Sequence, residues 1–240
     1  MAGKLFFVPT PVGNLADMSP RAIETLKSAD LILAEDTRTS GVLLRHFGID
    51  RPLVSHHKFN EHKAIESIMS RLEAGSVIAL ISDAGTPGIS DPGFLLARES
   101  RKRNIEVVTL PGPNALLPAL VDSGLPCDRF CFEGFLPQKS GRKTRLSEIA
   151  RDKRTTVIYE SPLRLVKTLE NLMEVCGPDR QASVTREISK IHEQTVRGTL
   201  SEIIHYFSEN NPKGEFVIVL GGNVQESEPK VHKNKYKLDN

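Results

Sequence analysis

The residues best suited to chemistry lie between Ser82 and Gly93, where twelve positions hold three glycines, two prolines and two aspartates. Neither a helix nor a strand can continue through such a composition, because glycine is too flexible and proline lacks an amide donor. The segment follows Val77–Ile81, an apolar run typical of a strand buried on both faces. Ligands of open α/β sheets bind beyond the carboxyl ends of strands. The sequence therefore predicts a ligand-binding loop here, with an ordinary strand-to-helix turn as the alternative.

A second candidate is the acidic pair Glu35 and Asp36, which follows the apolar run Leu31–Ala34 and precedes Arg38. Its position beside the predicted ligand loop favours a role in the site, where a carboxylate could take up a proton. The alternative is a carboxylate–arginine pair on the surface, which contributes only about 0–1 kcal/mol to stability.

His57 and Asn60 are a third candidate, because they follow the short apolar run Leu53–Ser55. The imidazole could accept a proton and the amide could orient a substrate. A lone histidine in a polar loop is equally compatible with no functional role. The sequence alone leaves both interpretations open.

Several other kinds of site lack their signatures. Pro9–Asn14 contains neither Gly-x-Gly-x-x-Gly nor the Lys-Ser/Thr ending of a phosphate-binding loop, and no Gly-x-Ser-x-Gly elbow occurs in the chain. The three cysteines lack metal-type spacing and are typical of reduced thiols in a cytosolic protein. The seven histidines contain no His-x-x-x-His pair, so we expect no structural metal.

A basic segment runs from Lys139 to Arg154, with seven lysines and arginines against two acidic residues. One interpretation is the solvated face of a helix. The other is a surface that contacts nucleic-acid phosphates, in which Gly141 keeps the segment mobile until RNA binds. Aromatic residues make up only 5% of the chain and tryptophan is absent, which argues against a base-stacking platform.

The elements that must position these residues alternate between strands and helices through the first half of the chain. Apolar runs predict strands at Leu5–Val8, Leu31–Ala34, Leu53–Ser55, Val77–Ile81 and Glu106–Leu110. Helical spacing and capping residues predict helices at Arg21–Ala29, Val42–Phe47, Glu61–Glu73, Phe94–Arg103 and Ala115–Ser123. This alternation indicates right-handed crossovers and a mostly parallel sheet.

The second half has a different pattern. It predicts strands at Arg129–Phe135, Thr155–Glu160, Ala182–Arg186 and Glu215–Leu220, and helices at Leu163–Val175 and from Thr199 through Phe207. We therefore divide the chain into a first domain of residues 1–120 and a second of residues 121–222. Residues 223–240 are polar and mixed in charge, so we expect a mobile tail.

The overall composition is that of an ordinary globular protein, with 240 residues, 39% hydrophobic and 26% charged. A net charge of +2 is too small for the whole molecule to act as a polycation, so any binding to nucleic acid must be local. The apolar run near the N-terminus is too short for a signal peptide or a membrane span. We therefore expect a cytoplasmic protein with no membrane partner.

Several segments together carry a resemblance to a known family. They are Pro9–Leu15, Glu35–Arg38, Ser82–Gly93, Pro111–Ala115, Ser123–Pro126, Phe132–Pro137, Glu160–Arg164, Arg186–Glu193 and Lys213–Glu215. In them the chain resembles the small-subunit (16S) ribosomal RNA cytidine 2′-O-ribose methyltransferases of the tetrapyrrole-methylase superfamily, from about residue 4 to residue 222. Gly85-Thr86-Pro87 stands where the tetrapyrrole enzymes have Gly-Asp-Pro, as is typical of the RNA branch. Phe59 stands where a histidine is expected.

The resemblance implies an α/β fold of two αβα domains, the first with a mostly parallel Rossmann-like sheet and the second with a mixed sheet. It also implies a homodimer that binds S-adenosyl-L-methionine between the domains and methylates the ribose 2′-hydroxyl of a cytidine. The substrate would be small-subunit ribosomal RNA or the assembled small subunit. We expect loops poor in charge to hold the sulfonium, because alignment is the main requirement of an in-line displacement.

The matching positions imply particular roles. For the cofactor they are Pro11, Gly13, Ser82, Asp83, Gly85, Thr86, Pro87, Ile89, Pro113, Asn114, Ala115, Tyr159, Lys213 and Gly214. Candidates to accept the hydroxyl proton are Glu35, Asp36, His57 and Lys190, and candidates to contact RNA phosphates are Arg38, Lys139, Arg142, Lys143, Arg145 and Arg186.

Two rival functions come from different classes. A methylase acting on a tetrapyrrole carbon would not need the basic segment, and Gly85-Thr86-Pro87 argues against it. A non-catalytic RNA- or ribosome-binding protein would not need such complete cofactor loops.

Overall fold

The computed structural model describes residues 3–223, so the tail expected beyond Asn223 lies outside the described residues. Within this range the chain forms two five-stranded sheets. The strands of the first sheet are β1 (Lys4–Phe7), β2 (Leu31–Ala34), β3 (Leu53–Ser55), β4 (Val77–Ile81) and β5 (Glu106–Thr109).

The first sheet has the strand order β3-β2-β4-β1-β5, and every neighbouring pair is parallel. The predicted parallel sheet is confirmed. Because the strands share one direction, their carboxyl ends lie along a single edge, and the loops after β2, β4, β1 and β5 meet there.

Helices cover both faces of this sheet. Helices α1 (Pro20–Ser28) and α2 (Thr37–His46) pack on one face, and α3 (Glu61–Glu73) and α4 (Phe94–Lys102) pack on the other. Ser19 accepts a hydrogen bond from Ala22 N at 3.1 Å and caps α1 as predicted. Helix α2 begins five residues before the predicted Val42, because Asp36 caps it by accepting from Arg38 N at 2.8 Å.

The second sheet is mixed, as expected. It consists of β6 (Phe130–Phe135), β7 (Thr155–Glu160), β8 (Gln181–Arg186), β9 (Gln194–Thr199) and β10 (Phe216–Leu220). Their order is β6-β7-β10-β8-β9; β6 and β7 are parallel and the other pairs are antiparallel. The sequence did not predict β9, a largely polar edge strand with no buried residue.

The helices of the second half are α5 (Leu116–Asp122), α6 (Arg142–Arg151), α7 (Leu165–Cys176) and α8 (Leu200–Glu209). Helices α6, α7 and α8 pack on one face of the second sheet, and α5 packs on the other. Helix α7 begins two residues after the predicted Leu163. The expected fold of two αβα units, each with helices on both faces of its sheet, is confirmed.

The packing of helix α5 indicates where the boundary between the two units lies. Its Ala119 and Leu120 are buried against Val157 and Val217 of the second sheet. We therefore propose that the boundary between the two αβα units lies in the loop before α5 rather than at residue 120. Over residues 3–223, no helix combines the length and the apolar character needed to cross a membrane.

Candidate active site

A cleft of about 340 Å³ opens between the carboxyl edge of the first sheet and the second sheet. This volume falls within the roughly 300–1,000 Å³ range of small-molecule sites. The first unit contributes Val12, Asp83–Thr86, Ile89–Asp91, Asn114 and Ala115. The second unit contributes Phe135, Tyr159–Pro162, Ile188 and Glu215–Val217.

Backbone pairing holds together the loops of the first unit. Thr10 and Gly85 exchange two amide–carbonyl hydrogen bonds of 2.9 Å, which join the loops after β1 and β4. The Thr10 hydroxyl also donates to the Ser82 carbonyl at 3.0 Å. The Thr86 hydroxyl donates to the Pro113 carbonyl at 3.1 Å and brings in the loop after β5. Gly85 has a φ of +80°, so the sequence needs a glycine at this turn.

Half of the predicted cofactor residues line the cleft: Asp83, Gly85, Thr86, Ile89, Asn114, Ala115 and Tyr159. The structure places the others around it. Pro11 and Gly13 line a neighbouring depression that also includes Asp83. Ser82 and Pro87 are buried, and the Pro113 carbonyl is bonded to Thr86. Lys213 is exposed, and Gly214 directly precedes the cleft residue Glu215.

The cleft is more acidic than expected. Asp83, Asp91, Glu160 and Glu215 all line it, although Glu160 pairs with Arg164 at 2.8 Å and Glu215 pairs with Lys190 at 2.8 Å. The sequence analysis assigned no role to Asp91, Glu160 or Glu215, although each lies in a segment that carries the family resemblance. A negative potential attracts a cationic ligand, which a neutral bed of backbone groups would not do.

Three carboxyl groups near the cleft influence each other. Burial raises the pKa of Glu35, and the charge of Asp83 raises it further. Burial also raises the pKa of Asp83. The largest effect is on Asp91, where burial and then the charge of Glu35 raise the pKa to about 7. Burial, followed by the charge of Asp91, raises the pKa of Tyr159 to about 12. The cleft thus favours added positive charge.

Two of the four predicted proton acceptors are engaged in ion pairs. Asp36 accepts two hydrogen bonds from the Arg38 guanidinium, at 2.7 and 3.1 Å, and these bonds lower its pKa to about 2. Burial disfavours the charge of Lys190, but its hydrogen bonds to Glu215 (2.8 Å) and Glu187 (2.9 Å) outweigh burial and raise its pKa. At neutral pH Asp36 is therefore a weak base, and Lys190 already carries the proton that a base would have to accept.

The other two predicted acceptors, Glu35 and His57, lie outside the cleft lining. His57 Nδ1 accepts from the Phe59 amide at 3.2 Å, and the Asn60 side chain accepts from the His57 amide at 2.8 Å. His57 therefore helps to form the turn before α3. Phe59 is 90% exposed.

The predicted phosphate contacts fall into two groups. Arg38, Lys139, Lys143 and Arg145 are exposed, and Arg145 forms ion pairs with Glu133 and Glu148. Arg186 is half-buried at the end of β8, with its Nε unpartnered among the described residues.

Arg142 differs from its neighbours on the basic helix. It donates to Asn171 Oδ1 at 3.2 Å, to the Pro137 carbonyl at 3.1 Å and to Thr168 Oγ1 at 2.9 Å. Thr168 in turn donates at 2.7 Å to Glu160, a cleft residue. Arg142 thus joins α6 to α7 and supports one wall of the cleft. In residues 3–223, no group of three His, Cys, Asp or Glu side chains is arranged to hold a metal.

The fold and the cleft define a class: a two-unit α/β protein that binds a small ligand where the loops of a parallel sheet face a mixed sheet. The fold resembles a diphthine synthase (TM-score 0.72, 15% identity, covering 91% of this chain and 90% of that one). It also resembles a uroporphyrin-III C-methyl transferase from Thermus thermophilus complexed with S-adenyl homocysteine (TM-score 0.64, 18% identity, covering 91% and 97%).

Sequence comparison identifies the family within that class. The family model of the tetrapyrrole (corrin/porphyrin) methylases matches residues 4–204. A "Ribosomal RNA small subunit methyltransferase I" from a Synechocystis species is 51% identical over 95% of this chain and 82% of its own length. Proteins of the same name from Escherichia coli O157:H7 (46%; 94% of this chain and 80% of the relative) and Thermotoga maritima (45%; 92% and 99%) are also similar. The chain belongs to the tetrapyrrole methylase family.

Proposed function

We propose that this protein is an S-adenosyl-L-methionine-dependent methyltransferase that modifies the ribose 2′-hydroxyl of a cytidine in small-subunit ribosomal RNA. The observation that carries the proposal is the 51% identity, over 95% of the chain, to a protein named for methylation of small-subunit ribosomal RNA. The acidic interdomain cleft and the basic helix α6 support it, because the donor is a cation and the substrate a polyanion.

The residues of the cleft fit the cofactor. When bound, S-adenosyl-L-methionine supplies an electrophilic methyl group on a positively charged sulfur. Asp83 and Asp91 give the cleft negative charge, and Ile89, Ala115 and Val217 offer apolar surface for the adenosine. This combination of apolar walls and a few fixed polar groups is typical of small-molecule sites.

The catalytic contribution of the protein is mainly alignment. Well-oriented groups can reach effective molarities of about 10⁵–10⁸ M. The hydrogen bonds from Thr10 and Thr86 fix three loops of the first unit, and the Glu160–Thr168 bond fixes the facing wall. A rigid cleft of this kind holds the methyl group and the ribose hydroxyl in line.

RNA would approach along the second unit. Lys139 and Lys143 are exposed on either side of the start of helix α6, which begins seven residues after the cleft residue Phe135. Phosphates held by these lysines would bring a nearby nucleotide to the cleft mouth. We propose that the protein works in the cytoplasm as a homodimer, on naked RNA or on the assembled subunit.

The test combines calorimetry with a methylation assay. We expect the protein to bind S-adenosylhomocysteine and to transfer labelled methyl groups to unmethylated small subunits or their RNA, with the label at one cytidine ribose. Labelling of a tetrapyrrole instead would favour the first rival. Absence of binding heat together with retained RNA affinity would favour a non-catalytic RNA-binding protein.

The RNA surface has its own test. Replacing Lys139 and Lys143 by alanine should weaken RNA binding and flatten its salt dependence by up to about 0.9 in log–log slope per lost phosphate contact. Affinity for S-adenosylhomocysteine should stay unchanged. The matched control is Lys27→Ala, an exposed lysine on α1 of the first unit. Equal RNA affinity in the double variant and the control would contradict the assignment.

A further inference from the structure

We propose that Asp91 accepts the proton of the ribose hydroxyl during methyl transfer. The inference rests on the proposed function and adds to it the identity of the base. Asp91 lines the cleft, whereas the four acceptors implied by the family resemblance do not. It also faces Tyr159 of the second unit closely enough for its charge to act on the phenol. Asp91 thus lies in the cleft, with Tyr159 of the second unit facing it.

The loop around Asp91 is fixed on both sides. Ser90 has a φ of +66°, a strained conformation that a non-glycine residue keeps only when its surroundings impose it. Its hydroxyl packs on Gly134, where a Cβ atom would lie 2.8 Å from Ser90 Oγ. On the other side, the Gly93 amide donates to Glu61 Oε1 at 3.1 Å. The backbone on both sides of Asp91 is therefore fixed by contacts of its neighbours.

The contact between Ser90 and Gly134 depends on an irregularity in strand β6 of the second unit. Strand β6 has a register shift between Phe132 and Gly134, and Gly134 has a φ of +59°. A β-bulge of this type commonly re-aims backbone next to an active site. Here it creates the space into which the Ser90 side chain fits. Both units thus contribute to the position of Asp91.

The surroundings of Asp91 suit a general base. Burial is the main cause of its pKa of about 7, and the charges of Glu35 and Asp83 add to it, while the Ser82 hydroxyl opposes the shift. Tyr159, with its own raised pKa, faces it from β7 as a neutral group. A base whose pKa lies near the working pH combines a large ionised fraction with a strong affinity for the proton.

The proposed step is balanced. The ribose 2′-oxygen forms a bond to the methyl carbon while the bond from that carbon to sulfur breaks, and the bonding pair leaves on sulfur as a neutral thioether. The hydroxyl proton passes to a carboxylate oxygen of Asp91. Release of that proton to water after the product leaves restores the base.

The experiment compares Asp91→Asn with Glu35→Gln. Asparagine keeps the shape of Asp91 but cannot take the proton, so we expect the single-turnover rate to fall about 10²–10⁴-fold. In the unsubstituted protein the rate should rise with pH, because only the ionised carboxylate accepts a proton. The midpoint of this rise should lie at or below the pKa of about 7 in the empty cleft, because the bound sulfonium favours the ionised form. Glu35→Gln removes a repulsive charge, so it should keep most of the rate and move this rise to lower pH.

Two further measurements do not depend on turnover. A carbon-13 NMR titration of the aspartate carboxyl groups, without donor or RNA, should show one group that titrates near pH 7 and is missing in Asp91→Asn. Calorimetry with S-adenosylhomocysteine should give dissociation constants for the two proteins within about threefold. The second result would show that the substitution leaves the cleft intact.

Any of four results would overturn the inference. Asp91→Asn could keep its rate within about threefold, or Glu35→Gln could lose the rate instead, which would make Glu35 the base. A loss of S-adenosyl-L-methionine affinity as large as the loss of rate would mean that Asp91 acts by holding the donor. If the unsubstituted protein binds S-adenosylhomocysteine but methylates no RNA, the proposed function fails and the role of Asp91 falls with it.

Discussion

Replacing Arg142 by alanine tests whether the basic helix is one functional surface or two kinds of residue. In the structure, Arg142 makes three hydrogen bonds inside the second unit, whereas its neighbour Lys143 is exposed. We therefore expect Arg142→Ala to destabilise the protein and Lys143→Ala to leave its stability unchanged. If both residues served only to bind phosphate, the two variants would behave alike.

The loss of stability expected for Arg142→Ala follows from the three hydrogen bonds that the substitution removes. A hydrogen bond to a charged group contributes about 1.5–3 kcal/mol when buried. Two of the partners of Arg142, the Pro137 carbonyl and Asn171, lie where water can replace the guanidinium, so their loss costs less. The total is about 2–4 kcal/mol. At about 2–4 °C per kcal/mol for a protein of this size, Tm should fall by about 4–16 °C.

Thermal unfolding followed by circular dichroism provides the assay, with Lys143→Ala as the matched control. An exposed substitution typically changes stability by less than about 0.5 kcal/mol, which corresponds to less than about 2 °C here. Calorimetry should show weaker S-adenosylhomocysteine binding for Arg142→Ala, because Thr168 links Arg142 to Glu160 in the cleft. A Tm within 2 °C of the unsubstituted protein would refute the structural role.

Two other predictions concern the loop contact and a buried histidine. Gly134→Ala should weaken S-adenosylhomocysteine binding about tenfold, or about 1.4 kcal/mol, because its Cβ would press on Ser90 Oγ and because alanine is strained at a φ of +59°. Adding Ser90→Gly should restore in calorimetry only the part of the affinity that the contact with Ser90 Oγ removes. His56 is 1% exposed and its pKa is lowered by burial, although nearby Glu61 opposes the shift. Because the unfolded chain binds the proton more readily, this histidine's contribution to stability is complete above pH 6.5 and is lost as the pH falls, by up to about 1.4 kcal/mol per pH unit. Denaturant unfolding at pH 7.5 and 5.5 should show a smaller pH dependence in His56→Gln, and an equal dependence would contradict this account.

The strands of the first sheet were predictable because each is encoded by its own residues. Each of its strands is a short apolar run bounded by turn residues, as strands covered by helices on both faces must be. Helix α3 matched its predicted bounds, since Ile65, Met69 and Leu72 recur at helical spacing. No information from distant residues was needed for these elements.

The elements that the sequence did not predict cannot be recognised from their own residues. Strand β9 contains Gln194, Arg197 and Gly198 and is recognisable only through its pairing with β8. The basic segment gave no clear helical prediction, because only Leu146 and Ile149 of α6 are buried. Both elements depend on pairing or packing with other elements, which their own residues do not encode.

The candidate site likewise has features that the sequence predicted and features that it did not. The glycine-rich loop was found from its composition, but the different roles of its two aspartates were not, because only tertiary burial raises the pKa of Asp91 to about 7. Lys190 looked like a possible base until the structure paired it with Glu215, 25 residues away in the chain. Sequence reasoning located the edge of the sheet where the chemistry lies and left the protonation states undetermined.

The distribution of charge explains why a chain with a net charge of only +2 can handle a cation and a polyanion together. The cleft collects carboxylates such as Asp83 and Asp91, while Lys139 and Lys143 lie exposed around the start of α6. Methyl transfer discharges the sulfonium, so the product loses an attraction to the cleft that the substrate had. The same carboxylates that favour donor binding therefore also favour exchange of product for fresh donor, and the RNA surface can stay basic without weakening either step.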